Sequence, residues 1–153
     1  MFDGEYEADF GVCWVGLDCC REEGKWSEKW YFGGSFGTNL RPLFIWSNDY
    51  RECSKAFYMN VAGHMLGCLT VSEGGPCSIA VDVKLILQGA LLTNAHGVIL
   101  AHNHPSGNLQ PSTPDKFMTE KVEKALSIMD MKLLDHLIVT RGGYFSFVDE
   151  GVM

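Results

Sequence analysis

The sequence predicts an α/β (α+β) domain, a mixed β-sheet flanked by helices, and three observations carry that expectation. Short runs rich in apolar residues recur at 52–59, 65–72, 98–101, 137–140 and 144–148. Two longer stretches, 83–94 and 113–130, place apolar side chains at helical spacing. Between these segments stand turn residues: Gly63, Gly74-Gly75-Pro76 and Arg141-Gly142-Gly143. The order reads β-β-α-β-α-β-β.

Residues 1–39 are rich in glycine, aromatics and acids and show no sustained period, so only short strands are expected there, at 10–17 and 30–32. Trp26 and Trp30 stand at helical spacing and read as packing residues. An apolar segment at 40–46 ends in Asn48-Asp49. The runs 52–59 and 65–72 then form a hairpin around a loop in which Gly63 permits positive φ. Asp82 suits the N-cap of the first helix, with Val83, Ile86, Leu87, Ala90 and Leu91 on its apolar side and His96-Gly97 closing it. The second helix carries Met118, Val122, Ala125, Leu126 and Met129 on one side. Strands at 137–140 and 144–148 pair across the Gly-Gly turn.

The chain has a formal charge of −7, and residues 1–30 contribute −5 of it through eight acids and three bases. Phosphate contacts need clustered Lys and Arg, so this balance gives DNA binding no electrostatic support. No apolar run approaches the roughly 20 residues that cross a bilayer, and the acidic start does not resemble a signal peptide. The expected location is the cytoplasm. The six cysteines form no CxxC pair, which agrees with reduced thiols.

Chemistry concentrates at 102–115, HNHPSGNLQPSTPD, directly after the apolar run 98–101. Side chains two apart on an extended chain share a face, so His102 and His104 point the same way. With Asp115 they supply three His and carboxylate donors, the usual protein set of a hydrolytic zinc site that keeps one position for water. Such a site also needs a base outside the ligand set, and Glu52, at the start of the first clear strand, is the candidate. Ser112-Thr113-Pro114-Asp115 reads equally as a helix start, with a Ser N-cap and an acid three residues on. Asn103 and Ser106 are candidates to orient the ligands or the substrate backbone. His64, His96 and His136 are read as structural, His136 at a turn between the second helix and the next strand.

Glu52, then His102-Asn103-His104-Pro105, six residues, Ser112, two residues and Asp115 resembles the JAMM metalloprotease motif in order and spacing. The text VDVKLILQGALLTNAHGVILAHNHPSGNLQPSTPD and LLDHLIVTRGGYFSFVDEG resembles the RadC-like branch of that superfamily. The resemblance covers residues 40–153, leaving 1–39 as a divergent N-terminal segment. It implies a JAMM/cytidine-deaminase-like mixed sheet flanked by helices, with Zn2+ held by His102, His104 and Asp115. It also implies Glu52 as general acid/base and Ser112 as the donor to an oxyanion. The implied reaction is hydrolysis of an amide, in a peptide or protein substrate. A non-catalytic metal-binding interaction domain and an accessory DNA-repair factor are the alternatives; the HxE and PCxxC pair of a zinc deaminase is absent. Ser54 stands where RadC-like sequences commonly carry an aromatic, and residues 1–39 show no helix-hairpin-helix-type region.

Overall fold

A computed structural model describes residues 12–13, 51–74 and 81–153. The strand expected at 30–32, the apolar segment at 40–46 and the Trp26/Trp30 pair lie outside the described residues. The elements are β1 (Val12–Cys13), β2 (Cys53–Met59), β3 (Met65–Glu73), α1 (Val83–Leu92), β4 (Gly97–Asn103), α2 (Thr113–Ile128), β5 (Lys132–Thr140) and β6 (Gly143–Ser146). This is the expected order, with the short β1 falling inside the stretch 10–17.

The strands form one mixed sheet, ordered β1-β3-β2-β4-β5-β6. Strands β2 and β3 are the expected hairpin, and Gly63 in its loop takes φ +77°. Strand β2 also pairs antiparallel with β4, β4 runs parallel to β5 through the α2 crossover, and β5 turns back into β6. The central strands bury both faces, which is why they read as continuous apolar runs. On one face Ala56, Tyr58, Val98 and Leu100 pack beneath Ile86 and Ala90 of α1 and Val122 and Leu126 of α2. On the other, Phe57, Met59, Ile99, Ala101, Leu137 and Val139 form a second cluster. The even-numbered residues of β2 and β4 therefore point toward the helices, and Ser54 lies opposite His102 in the register.

Helix α1 starts as expected, the Asp82 carboxylate accepting from the Lys84 N–H at 2.9 Å. It ends earlier than expected, at Leu92, with Thr93 as C-cap and Asn94 taking the left-handed conformation (φ 51°) that His96-Gly97 was expected to supply. Gly97 instead opens β4, where an added Cβ would stand 2.7 Å from Leu134 Cγ. Leu91 also departs from expectation and is exposed, because the buried stripe of α1 runs through Gly89. A Cβ at Gly89 would lie 2.1 Å from Tyr58 Oη, so glycine lets the helix sit directly on a buried tyrosine.

The second helix stops at Ile128, not 130, and Met129 at its C-cap is exposed. Its buried face is Thr119, Val122 and Leu126, so a threonine joins the stripe that the apolar pattern assigned to methionine. The last strands shift too. Strand β6 ends at Ser146, and β5 begins at Lys132, five residues before the expected 137. His136 is consequently not at a turn. It is wholly buried in the middle of β5.

Candidate metal centre

Strand β4 extends two residues past the expected 98–101 and carries His102 within it, while His104 follows just beyond its end. Both continue the face of Val98 and Leu100 toward α2, whose first turn contains Asp115. The carboxyl end of a parallel strand thus meets a helix N-terminus, the place in an α/β sheet where open valences and a positive helix end coincide. His102 Nε2 lies 3.0 Å from His104 Nε2 and 3.4 Å from Asp115 Oδ1, and His104 Nε2 lies 3.7 Å from Asp115 Oδ2. One ligand atom from each of the three residues falls within 4.8 Å of the others.

The hydrogen bonds behind these atoms decide what they offer. His104 Nδ1 lies 2.6 Å from the Asn108 carbonyl, which can only accept, so Nδ1 carries a proton and Nε2 is the ring nitrogen turned to the cleft. Burial lowers the His102 pKa to about 4, opposed by Asp115 and assisted by His104, so its ring is neutral. Its Nδ1 lies 2.9 Å from His136 Nε2. Imidazole nitrogens and a carboxylate oxygen converging on one point are a good arrangement for a cation.

Glu52 immediately precedes β2, where the register brings it to the same face as Ser54 and His102. Its backbone is held on both sides. Asn103 Oδ1 accepts from the Cys53 N–H at 2.6 Å, and Asn103 Nδ2 donates to the Arg51 carbonyl at 2.9 Å. The β2–β4 ladder ends at Ser54 and His102, and the Asn103 amide continues it by imitating a backbone peptide. From the other side the Gly74 N–H donates to the Glu52 carbonyl at 2.8 Å, and a Cβ at Gly74 would meet that oxygen at 2.8 Å. Asn103 thus braces the segment bearing Glu52, whereas Ser106 lines the cleft and its hydroxyl accepts from the Asn108 N–H at 3.4 Å, in the loop whose Asn108 carbonyl meets His104.

Ser112 is the N-cap of α2. Its Oγ accepts from the Asp115 N–H at 3.2 Å and donates to Asp115 Oδ2 at 2.6 Å, while its own N–H donates to Oδ2 at 2.8 Å. This capping box fixes the Asp115 carboxylate and leaves Oδ1 toward His102. Glu52, His102, His104, Ser112 and Asp115 all line one cleft of about 360 Å³. The structure therefore brings the three candidate ligands, Glu52 and Ser112 to one cleft.

Two buried groups were not anticipated in this role. His136 bridges His102 and Thr119, and Thr119 Oγ1 lies 2.7 Å from His136 Nδ1. Asp135 is buried, which raises its carboxyl pKa, countered by hydrogen bonds from Ser146 and from the Val148 and His136 amides. The signal available in the sequence was the polar pair Asp135-His136 interrupting an apolar run, LLDHLIVT. Polar side chains inside a buried strand must find partners there.

Comparison with known proteins agrees with this architecture. The chain is 45% identical over 95 residues to a UPF0758 protein of Flavobacterium johnsoniae, covering 62% of this chain and 42% of that one. It is 42% identical over 96 residues to a UPF0758 protein of Porphyromonas gingivalis, covering 62% and 42%. A third, from Aquifex aeolicus, is 39% identical over 106 residues, covering 69% and 46%. The matched segment thus spans less than half the length of each of these relatives. The RadC-like JAB domain matches residues 39–152, about three quarters of the sequence. The chain belongs to the RadC-like JAB domain family.

Proposed function

We propose that this chain is a zinc-dependent hydrolase of amide bonds, acting on a peptide or isopeptide bond in a peptide or protein substrate. The observation that carries the reading is the convergence of the His102, His104 and Asp115 donors in the cleft that Glu52 and Ser112 also line. Donors about 2.0–2.1 Å from a tetrahedral zinc stand roughly 3.3 Å apart. The 3.0 and 3.4 Å separations around His102 Nε2 bracket that value. Bound there, zinc would supply an acidified water and polarise a carbonyl.

The protein's own groups then divide the work. Glu52 holds the proton released as water attacks and returns it to the leaving nitrogen, as a general acid/base must. The Asn103 and Gly74 contacts to its backbone limit how far that carboxylate can wander. Ser112 exchanges Asp115 Oδ2 for the developing oxyanion and donates its hydroxyl proton to it. Asn108 and the capping box keep His104 and Asp115 aimed without contribution from substrate.

The test compares wild type with Glu52→Gln on a panel of peptide and isopeptide substrates, with bound zinc measured in both. The expected result is one zinc per chain in each and turnover in wild type alone. Equal, background-level turnover overturns the hydrolase reading and leaves a non-catalytic metal-binding interaction domain. One observation favours that second reading: the Ser112 hydroxyl proton is already shared with Asp115.

A further inference from the structure

We propose that His136, directed by Thr119, is a positioning residue that fixes His102 as its Nδ1–H tautomer and so keeps His102 Nε2 an open electron-pair donor. The direction of every hydrogen bond in this chain follows from one backbone carbonyl. Thr119 Oγ1 lies 2.7 Å from the Asp115 carbonyl oxygen, four residues earlier on α2. A carbonyl accepts and never donates, so the Thr119 proton points there. The Thr119 oxygen must then accept from His136 Nδ1 at 2.7 Å.

The His136 ring is wholly buried, away from the water that would stabilise a charged imidazolium, and stacked on Phe147 with centroids 4.6 Å apart. The nearby Asp135 carboxylate bonds to the His136 backbone N–H. A neutral His136 protonated on Nδ1 offers Nε2 as acceptor, and that atom takes the proton of His102 Nδ1 at 2.9 Å. The series starts at the backbone of Asp115 and returns, through His102 Nε2, to within 3.4 Å of the Asp115 carboxylate.

The two ligand histidines are therefore held differently. His104 is fixed by a carbonyl, which has only one polarity. His102 is fixed by another imidazole, which transmits either polarity and must itself be directed. Without the Thr119 hydroxyl, His136 Nδ1 loses its acceptor, and the Nε2–H tautomer becomes the better one. It would donate to His102 Nδ1 and drive the His102 proton onto Nε2, into the metal centre. The relay reverses instead of breaking.

This inference rests on the metal-binding half of the proposed function and not on its hydrolytic half. The test uses the full chain, metal-free and 15N-labelled at histidine, at neutral pH. Long-range 1H–15N spectra assign the tautomers of His102 and His136 in wild type, Thr119→Val, Thr119→Ser and His136→Gln. Zinc affinity is then measured for each by competition with a chromophoric chelator, and unfolding curves show that each variant is folded. The expected wild-type result is Nδ1–H on both rings. Thr119→Val should move the proton of His102 to Nε2 and weaken zinc binding by about 10- to 100-fold, the usual effect of losing a group that orients a ligand. Thr119→Ser should restore both properties. In His136→Gln the amide oxygen can still accept from His102 Nδ1, so that variant should retain the wild-type His102 tautomer.

An Nε2–H tautomer of His102 in the metal-free wild type overturns the inference, as does an unchanged His102 tautomer in Thr119→Val. The tautomers decide it with no metal present. Failure of the wild type to take up zinc would instead overturn the proposed function.

Discussion

Replacing Asn103 tests whether the residue between the two histidines braces Glu52. Asn103→Ala removes the 2.6 Å bond to the Cys53 N–H and the 2.9 Å bond to the Arg51 carbonyl. A net hydrogen bond contributes about 0.5–1.5 kcal/mol, so two predict a loss of about 2 kcal/mol. Asn103→Asp keeps an acceptor for Cys53 but turns an oxygen toward the Arg51 carbonyl, and it should be no more stable than the alanine variant. Urea unfolding reads the global loss. Amide hydrogen exchange at Cys53 reads the local one, roughly 30-fold faster for about 2 kcal/mol. Zinc uptake should stay at one equivalent in both variants, because Asn103 points away from the face shared by His102 and His104. An unchanged midpoint together with unchanged Cys53 exchange would refute the bracing role.

Other outcomes are expected from the same structure. Burial lowers His102 to about 4 from 6.5, so between those values the unfolded chain binds a proton that the folded metal-free centre refuses. Stability is then full above pH 6.5 and falls by about 3 kcal/mol as pH drops through this window, with His136 acting in the same direction. Asp135, raised from 3.8 by burial, acts oppositely, since the contribution of its protonated form is lost as pH rises toward the folded value. A melting temperature in chelator that is flat from pH 6.5 to 4 would contradict the neutral buried histidines. Gly89→Ala places a Cβ 2.1 Å from Tyr58 Oη and should destabilise by about 1–3 kcal/mol, with Tyr58→Phe recovering part of the loss in a double mutant. Ser112→Ala removes the N-cap of α2 and should cost about 1 kcal/mol even without substrate, whereas Ser112→Asp should keep the helix capped.

The candidate metal centre was legible because its donors come from one short stretch. Alternation along an extended chain puts His102 and His104 on one face, and Ser112-Thr113-Pro114-Asp115 marks a helix start wherever it occurs, so the candidate ligands and the helix N-terminus follow from local rules. Glu52 could be singled out by its place at a strand start and by the spacing of the whole motif, but its approach to the histidines depends on β2 pairing with β4. His136 was misplaced for a clear reason. Polar Asp135-His136 inside LLDHLIVT looks like the boundary of a strand, and only burial among Thr119, Ser146, Phe147 and His102 makes it part of one.

By itself, then, the sequence determined the element order, the N-caps at Asp82 and Ser112 and the trio of candidate ligands, since each depends on residues close together along the chain. Tertiary structure decided which polar residues stand behind the candidate ligands and which atoms their hydrogen bonds join. Those choices depend on the Asp115 carbonyl, on a threonine of α2 and on a histidine of β5, groups that come together only when the helix closes over the parallel strands. Hydrogen-bond polarity passes from atom to atom through space. No local pattern along the chain encodes it.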